Sequence, residues 1–204
     1  MRQLIDFFCT PYAHATAFQI TLEIVAVFFG IVSVLYAKKE NIRVFPTGIV
    51  STVLYVYICY QFTLYGDMVI NLYYTLMSFY GWYVWNHKPL GQSIEITTSN
   101  SLDMLKAFGV FISTAAFVVW VYLYYDRFDR VTDYFDTFTS GIFFAGMWLM
   151  AHKKIEHWMF WILGNLISIP LYFVKGLGFS GLQFTIFLIL AVQGYIEWKK
   201  HLNK

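Results

Sequence analysis

Charge is scarce in this 204-residue chain: 13% of its residues are Asp, Glu, Lys or Arg, against 59% hydrophobic and 22% aromatic. A soluble domain carries about a quarter charged residues, so the composition excludes an ordinary water-soluble fold. Cysteine is nearly absent. Cys9 falls in the N-terminal segment and Cys59 inside an apolar stretch, which leaves no disulfide framework and no metal-ligand spacing. The five histidines, His14, His87, His152, His157 and His201, lie near the ends of apolar stretches and do not pair at ligand spacing, so neither a metal nor another cofactor is expected. A nucleophile paired with a base, or a metal cluster at depth, is likewise missing, which argues against a membrane-embedded enzyme. The net charge of +2 has no basic face behind it, and no nucleic-acid partner follows. The alternating pattern of a barrel strand does not occur. The N-terminus MRQLIDFFCTPYAHATAF has an Asp and no clean apolar run before a small-residue cleavage site. It reads as an interfacial segment over residues 1–17, not as a cleaved signal peptide.

What the chain does have is a series of nearly charge-free stretches of about 17 to 21 residues, each long enough to cross the ~30 Å hydrocarbon core as a helix. Seven are expected: Phe18–Tyr36, Val44–Leu64, Met68–Trp85, Ala107–Tyr125, Phe135–Ala151, Ile155–Val174 and Gly181–Trp198. The fold class is therefore an all-α integral membrane protein. The connections KKENIR, YGD, HKKIE and KGLGFS are short enough to make their neighbours antiparallel, whereas residues 87–106 form a long polar linker. Lys38, Lys39, Arg43, Lys88, Lys106, Lys153, Lys154, Lys199, Lys200 and Lys204 all fall on one side of such a bundle, leaving Arg2, Arg127, Arg130 and Lys175 on the other. The positive-inside bias then places the N-terminus outside and the C-terminus in the cytoplasm.

Slid against itself by about 113 residues, the chain resembles itself. LYAKKENIRVFPTGIVS aligns with LMAHKKIEHWMFWILGN, and GWYVW at Gly81–Trp85 with GYIEW at Gly194–Trp198. Setting Ala37 against Ala151 and Gly66 against Gly178 requires gaps of one or two residues. Residues 18–86 and 135–204 thus read as two three-helix repeats, and residues 107–134 as a linker helix with its outer loop. An odd-numbered unit followed directly by its copy would emerge inverted, so the added helix makes the two repeats parallel, a transporter's plan.

Polar side chains at bilayer depth mark helix contacts or permeation paths. On the third span Asn71, Tyr74, Ser78 and Trp82 share a helix face; on the sixth, Trp158, Trp161, Asn165, Ser168 and Tyr172 do. Two such stripes are expected to face each other across a pocket, aromatic planes stacking on a flat ring while amides and hydroxyls bond its edges. Trp82, Trp85, Trp158 and Trp198, near span ends, also fit an interfacial belt, whereas Trp148 and Trp161 lie deeper. Gln183 and Gln193 on the last span are weaker candidates. Glu23, the one carboxyl well inside a span, reads as a proton or cation site, a substrate contact or a helix anchor; with the gapped register it faces Thr137, so its charge is not duplicated. Asp67 and Asp136 fall where helix N-termini are capped. Pro46 suits a first helical turn, and Pro170 in mid-span is expected to kink its helix beside the pocket.

The order LYAKKENI, LYGDMVINLYY, YGWYVW, KKIEHWMFWILGN, IPLYFVKG and GYIEWKK resembles the PnuC family of bacterial nicotinamide riboside transporters, over nearly the whole chain from about Glu23 to Lys200. The resemblance implies a seven-helix 3+1+3 fold related to the SWEET sugar transporters, in the bacterial inner membrane, as a homotrimer. It implies uptake of the riboside by facilitated diffusion, with a cytosolic riboside kinase trapping the product. The positions that match the family pattern are Asn71, Trp82, Trp161 and Asn165. On that basis Trp161 and Tyr74 would stack on the pyridinium, while Asn165, Asn71 and Gln193 hold the amide and ribose. Carriers of thiamine or riboflavin, also flat and ring-bearing, are the alternative.

Overall fold

A computed structural model of the chain describes residues 16–61, 65–87, 95–125, 128, 130–174 and 178–202. Among these, seven helices follow one another: α1 (Ala17–Lys38), α2 (Val44–Gln61), α3 (Tyr65–Asn86), α4 (Ser101–Tyr124), α5 (Val131–Ala151), α6 (His157–Val174) and α7 (Gly178–Leu202). Five of them, α1, α2, α4, α6 and α7, are long and apolar enough by themselves to cross a membrane. Residues 1–15 of the expected interfacial segment and residues 126, 127 and 129 of the α4–α5 loop lie outside the described residues.

The helix ends follow local chemistry. Thr16 and Gln19 form a capping box at α1, and Asn100 and Asp103 form another at α4. The second box starts α4 at Ser101, earlier than the apolar run beginning at Ala107 suggested, because Ser101–Lys106 is held as helix by its cap and not by its hydrophobicity. At α5 the capping carboxylate is Asp133, whose Oδ2 accepts from the Arg130 amide at 2.9 Å. Asp136, expected as a cap, stands one turn further in, where the Tyr122 hydroxyl donates to it at 3.4 Å. Asp67's side chain lies outside the described residues.

The halves repeat without a gap. Lys38 and Ala151, Val44 and His157, Gln61 and Val174, and Tyr65 and Gly178 bound equivalent helices, and each pair stands 113 positions apart. The turns agree in detail. Glu40 and Lys153 carry the two positive φ angles among the described non-glycine residues, 54° and 51°. In the first turn the Asn41 amide donates to Tyr36 at 2.9 Å, and in the second the Lys154 amide donates to Leu149 at 3.0 Å. These are equivalent left-handed helix stops. The gapped register placed Glu23 against Thr137; the uniform one places it against Asp136, so the carboxylate is duplicated after all.

Within the halves α1 packs on α2, α2 on α3, α5 on α6 and α6 on α7. The halves meet through α1 with α7 and α3 with α5, two contacts that the repeat interchanges, while α4 packs on α5. The core lies at the end rich in Lys and Arg, where Phe45 meets Trp85 edge-on at 4.9 Å and its counterpart Trp158 meets Trp198 edge-on at 5.8 Å. Each ring pair needs a glycine. A Cβ on Gly194 would stand 2.5 Å from Trp158, and one on Gly81 would collide with Phe45. Gly194→Ala is therefore expected to destabilise the fold by about 1–3 kcal/mol through overpacking. Thermal unfolding in detergent would show a lowered midpoint, and an unchanged one would mean that α7 shifts freely.

α5 is the most enclosed helix. It lies against α3, α4 and α6, and buries Asp133, Thr137, Thr139, Gly141, Ala145 and Gly146. Small and hydroxyl-bearing residues let helices approach in lipid, which is why an element too polar to be a lone span fits here. Pro170 interrupts the backbone ladder of α6, yet the helix continues through to Val174. Its ring is exposed, on the side away from buried Asn165 and Ser168.

Candidate substrate site between the halves

The buried face of α6 includes a histidine that the sequence pattern left out. His157, Trp161, Asn165 and Ser168 follow at helical spacing on one face; His157 is 0%, Asn165 3% and Ser168 1% exposed. His157 Nδ1 lies 2.7 Å from the Lys154 carbonyl, which can only accept, so Nδ1 carries the proton and Nε2 is a bare acceptor without a partner among the described residues. The side chains of Asn165 and Ser168 are buried too, and neither hydrogen-bonds to any described residue. Burying an amide or hydroxyl unpaired is costly, so such groups are kept where a ligand or water completes them. Trp161 stands among them: its ring is edge-on to His157 at 5.3 Å and to Trp158 at 5.5 Å, and it leans on Gly146, where a Cβ would stand 2.7 Å away.

Opposite the stripe the uniform register gives the first half Val44, Gly48, Thr52 and Tyr55. The repeat is thus symmetric in backbone and asymmetric in chemistry: one half supplies imidazole, indole and amide where the other has valine, glycine and threonine. An aromatic wall completes the seam. Tyr73 of α3 stacks on Phe144 of α5 at 3.7 Å with 7° between planes and donates its hydroxyl to the Phe144 carbonyl at 3.2 Å. Tyr74 touches the same Phe144 ring at 5.5 Å, and Tyr172 meets Phe184 at 4.8 Å.

The structure gathers Tyr74, Trp82 and Trp161 around one core cluster containing Met147 and Trp158, with Asn165 and Ser168 continuing along α6. The α3 stripe, however, divides. Gly48 has no side chain, so α2 approaches α3 and Ser78 turns toward it, its Oγ 3.6 Å from where a Gly48 Cβ would be. Asn71 is part-buried, and its carbonyl accepts from Thr75 at 2.9 Å. Glu23 and Gln183 belong to a second group: the Tyr55 hydroxyl donates to Gln183 Oε1 at 3.4 Å, with the Glu23 carboxyl close enough to act on that phenol electrostatically. Trp148 is elsewhere. It packs with Ala107, Phe111 and Phe160 on the α4 side and lies 4.3 Å from the His152 ring, because Ala107 opens a slot in α4 that the indole fills. Gln193 is exposed at the basic end and accepts from Lys38 Nζ at 2.8 Å.

His157, Tyr55 and Phe144 are the additions. Tyr55 sits in VLYVYICY with nothing polar to mark it, but a gapless repeat would have found it as the counterpart of Ser168. No group of three or more His, Cys, Asp or Glu able to hold a metal occurs among the described residues, where Cys59 is buried and forms no disulfide.

Two parallel three-helix bundles joined by a linker helix, with unpartnered polar groups buried beside aromatic rings, define a membrane transport protein and not an enzyme. The chain belongs to the nicotinamide mononucleotide transporter family, whose model matches residues 20–200. It is 30% identical to the nicotinamide riboside transporter PnuC of Neisseria mucosa, over 86% of this chain and 71% of that protein. A solved structure, the crystal structure of the vitamin B3 transporter PnuC, is similar with a TM-score of 0.69 at 26% identity, covering 89% of this chain and 82% of that one. The riboflavin/roseoflavin transporter RibM of Streptomyces davaonensis is 28% identical over 60% of this chain and 58% of its own.

Proposed function

We propose that this protein takes up nicotinamide riboside by facilitated diffusion through a site between its two helical repeats. The observation that carries the reading is the pair of buried, unpartnered side chains Asn165 and Ser168 one and two turns from Trp161. Nicotinamide riboside is a flat cation with a carboxamide and a ribose. An indole face suits the ring, a free amide the carboxamide and a free hydroxyl the sugar. A neutral His157 adds an acceptor without adding positive charge.

The bilayer is the bacterial inner membrane, with the basic end of the bundle in the cytoplasm by the positive-inside rule. Residues 18–86 and 135–204 form the two halves that enclose the site and 107–134 the connection, and three copies assemble as in the family the chain resembles. A cytosolic riboside kinase keeps the internal concentration low, so the carrier itself needs no coupling ion. In kinase-free vesicles, uptake should therefore level at the external concentration and be unaffected by an ionophore. Accumulation above it that collapses on adding the ionophore would contradict the proposal.

Calorimetry on the purified protein with nicotinamide riboside, nicotinamide, thiamine and riboflavin tests the substrate. Binding of the riboside in preference to the other three supports the reading; preference for riboflavin would move the chain toward its RibM-like relative.

A further inference from the structure

The contacts at the basic end are concentrated on the repeat's own axis. Glu40 and Lys153 are equivalent residues, one in each left-handed turn, and they form an ion pair with each other. Trp85 and Trp198 are equivalent too, and their rings face each other at 6.4 Å. Lys153 Nζ lies 4.5 Å over the Trp85 ring, and the Trp198 indole N–H donates to the Ala37 carbonyl at 2.9 Å. His201 Nδ1 stands 4.0 Å from the second oxygen of Glu40. A residue that meets its own counterpart lies on the axis that relates the two halves, so these pairs form the plug between the seam and this face of the membrane. Three buried polar atoms without partners among the described residues, Trp85 Nε1, Trp158 Nε1 and His157 Nε2, lie in the same plug. Each carries a cost that hydration on opening removes, which keeps the closed form from being too stable to part.

The two turns are not held alike. Residues 95–100 run as a strap along the second turn: the Thr97 amide donates to the Lys153 carbonyl at 3.1 Å, and the Ile155 amide donates to the Thr97 carbonyl at 3.0 Å. The Ser99 amide and hydroxyl donate to Glu156 Oε2 at 2.9 and 2.6 Å, and Ile96 is buried in the core. Lys154 then pairs with Asp103 in the first turn of α4 at 2.9 Å. Strap, α4 and second half are thus tied together, and among the described residues no second bridge of this kind holds the first turn.

We infer that the Glu40–Lys153 pair and the Trp85/Trp198 rings are the gate at the basic end, and that it opens by movement of α1–α3 away from a fixed body made of α4–α7 and the strap. The inference goes beyond the transport reading, since it assigns the moving half and does not depend on the identity of the substrate.

Spin-label distances in lipid nanodiscs, without any ligand, test it in a Cys9→Ser/Cys59→Ser background. One pair of labels, at Arg43→Cys and Lys199→Cys, crosses the gate; a second, at Glu95→Cys and Lys199→Cys, stays within the fixed body. Glu40→Gln takes a carboxylate away from the buried Lys153 ammonium, and should raise a longer component of the first distance on the order of tenfold. The second distance should not change. Glu40→Asn, which tolerates the left-handed backbone better, should do the same and guards against misfolding of the first variant. The double exchange Glu40→Lys/Lys153→Glu should restore the original distribution. A first distance unaltered in both single variants, or a second distance that lengthens along with the first, would overturn the inference.

Discussion

Trp161→Ala is expected to weaken nicotinamide riboside binding roughly 30-fold, the equivalent of about 2 kcal/mol for a desolvated cation–π contact with an indole. Of the two indoles on the α6 stripe it is the one that remains partly accessible: Trp158 is 0% exposed, whereas Trp161 is only half-buried. Its plane is set from two sides, by His157 at 88° and Trp158 at 82°, so a ligand ring would meet a surface already oriented. Preorganisation of this kind makes truncation costly, because the ring has lost its freedom before the ligand arrives. Trp148→Ala provides the contrast. Trp148 belongs to the α4–α5 contact with Ala107 and Leu149, and removing it should leave affinity unchanged while lowering thermal stability. Titration calorimetry on both variants decides the matter; equal losses would mean that neither indole is read specifically.

The two tryptophans also show what the sequence could and could not reveal. Apolar span length located all seven helices, since the bilayer imposes one dimension on every element. The parallel repeat followed from counting, because an extra span between odd units settles their sense. Side-chain direction was less accessible. A 3.6-residue period says which residues share a face, not which neighbour that face meets. Ser78 shares its stripe with Tyr74, yet it turns to α2 because Gly48 leaves room there, while Tyr74 meets Phe144 of the other half. Trp148 and Trp161 are both deep indoles; α4 claims the first and the seam the second. Similarity of apolar segments tolerated one-residue gaps, and that small slip hid the equivalence of Glu23 with Asp136 and of Tyr55 with Ser168. The helix-stopping turns at Glu40 and Lys153 remove the ambiguity, since backbone conformation leaves no latitude for a shift of one residue. His157 has no metal-ligand spacing to mark it in the sequence, since its role depends on the Lys154 carbonyl beside it rather than on another titratable group.

Asn165→Leu separates binding from folding. The substitution keeps the side chain's approximate shape while removing an amide that is 3% exposed and bonded to no described residue. An amide held by protein partners leaves them unsatisfied when it is replaced, and the fold loses about 1–3 kcal/mol. Among the described residues no such partner exists to be stranded, and an apolar side chain in that place no longer carries the desolvation cost of the amide. The unliganded variant should therefore unfold at the same temperature as the parent or a higher one. Affinity should move the other way: a carboxamide that enters the seam and finds an isobutyl group in place of a donor and an acceptor is itself left unpaired, a loss of roughly 100-fold or more. The combination of retained stability with lost binding is what an unmet polar group reserved for a ligand must give. A lowered unfolding temperature with affinity intact would instead make Asn165 a structural residue of α6 and move the recognition of the amide elsewhere in the seam.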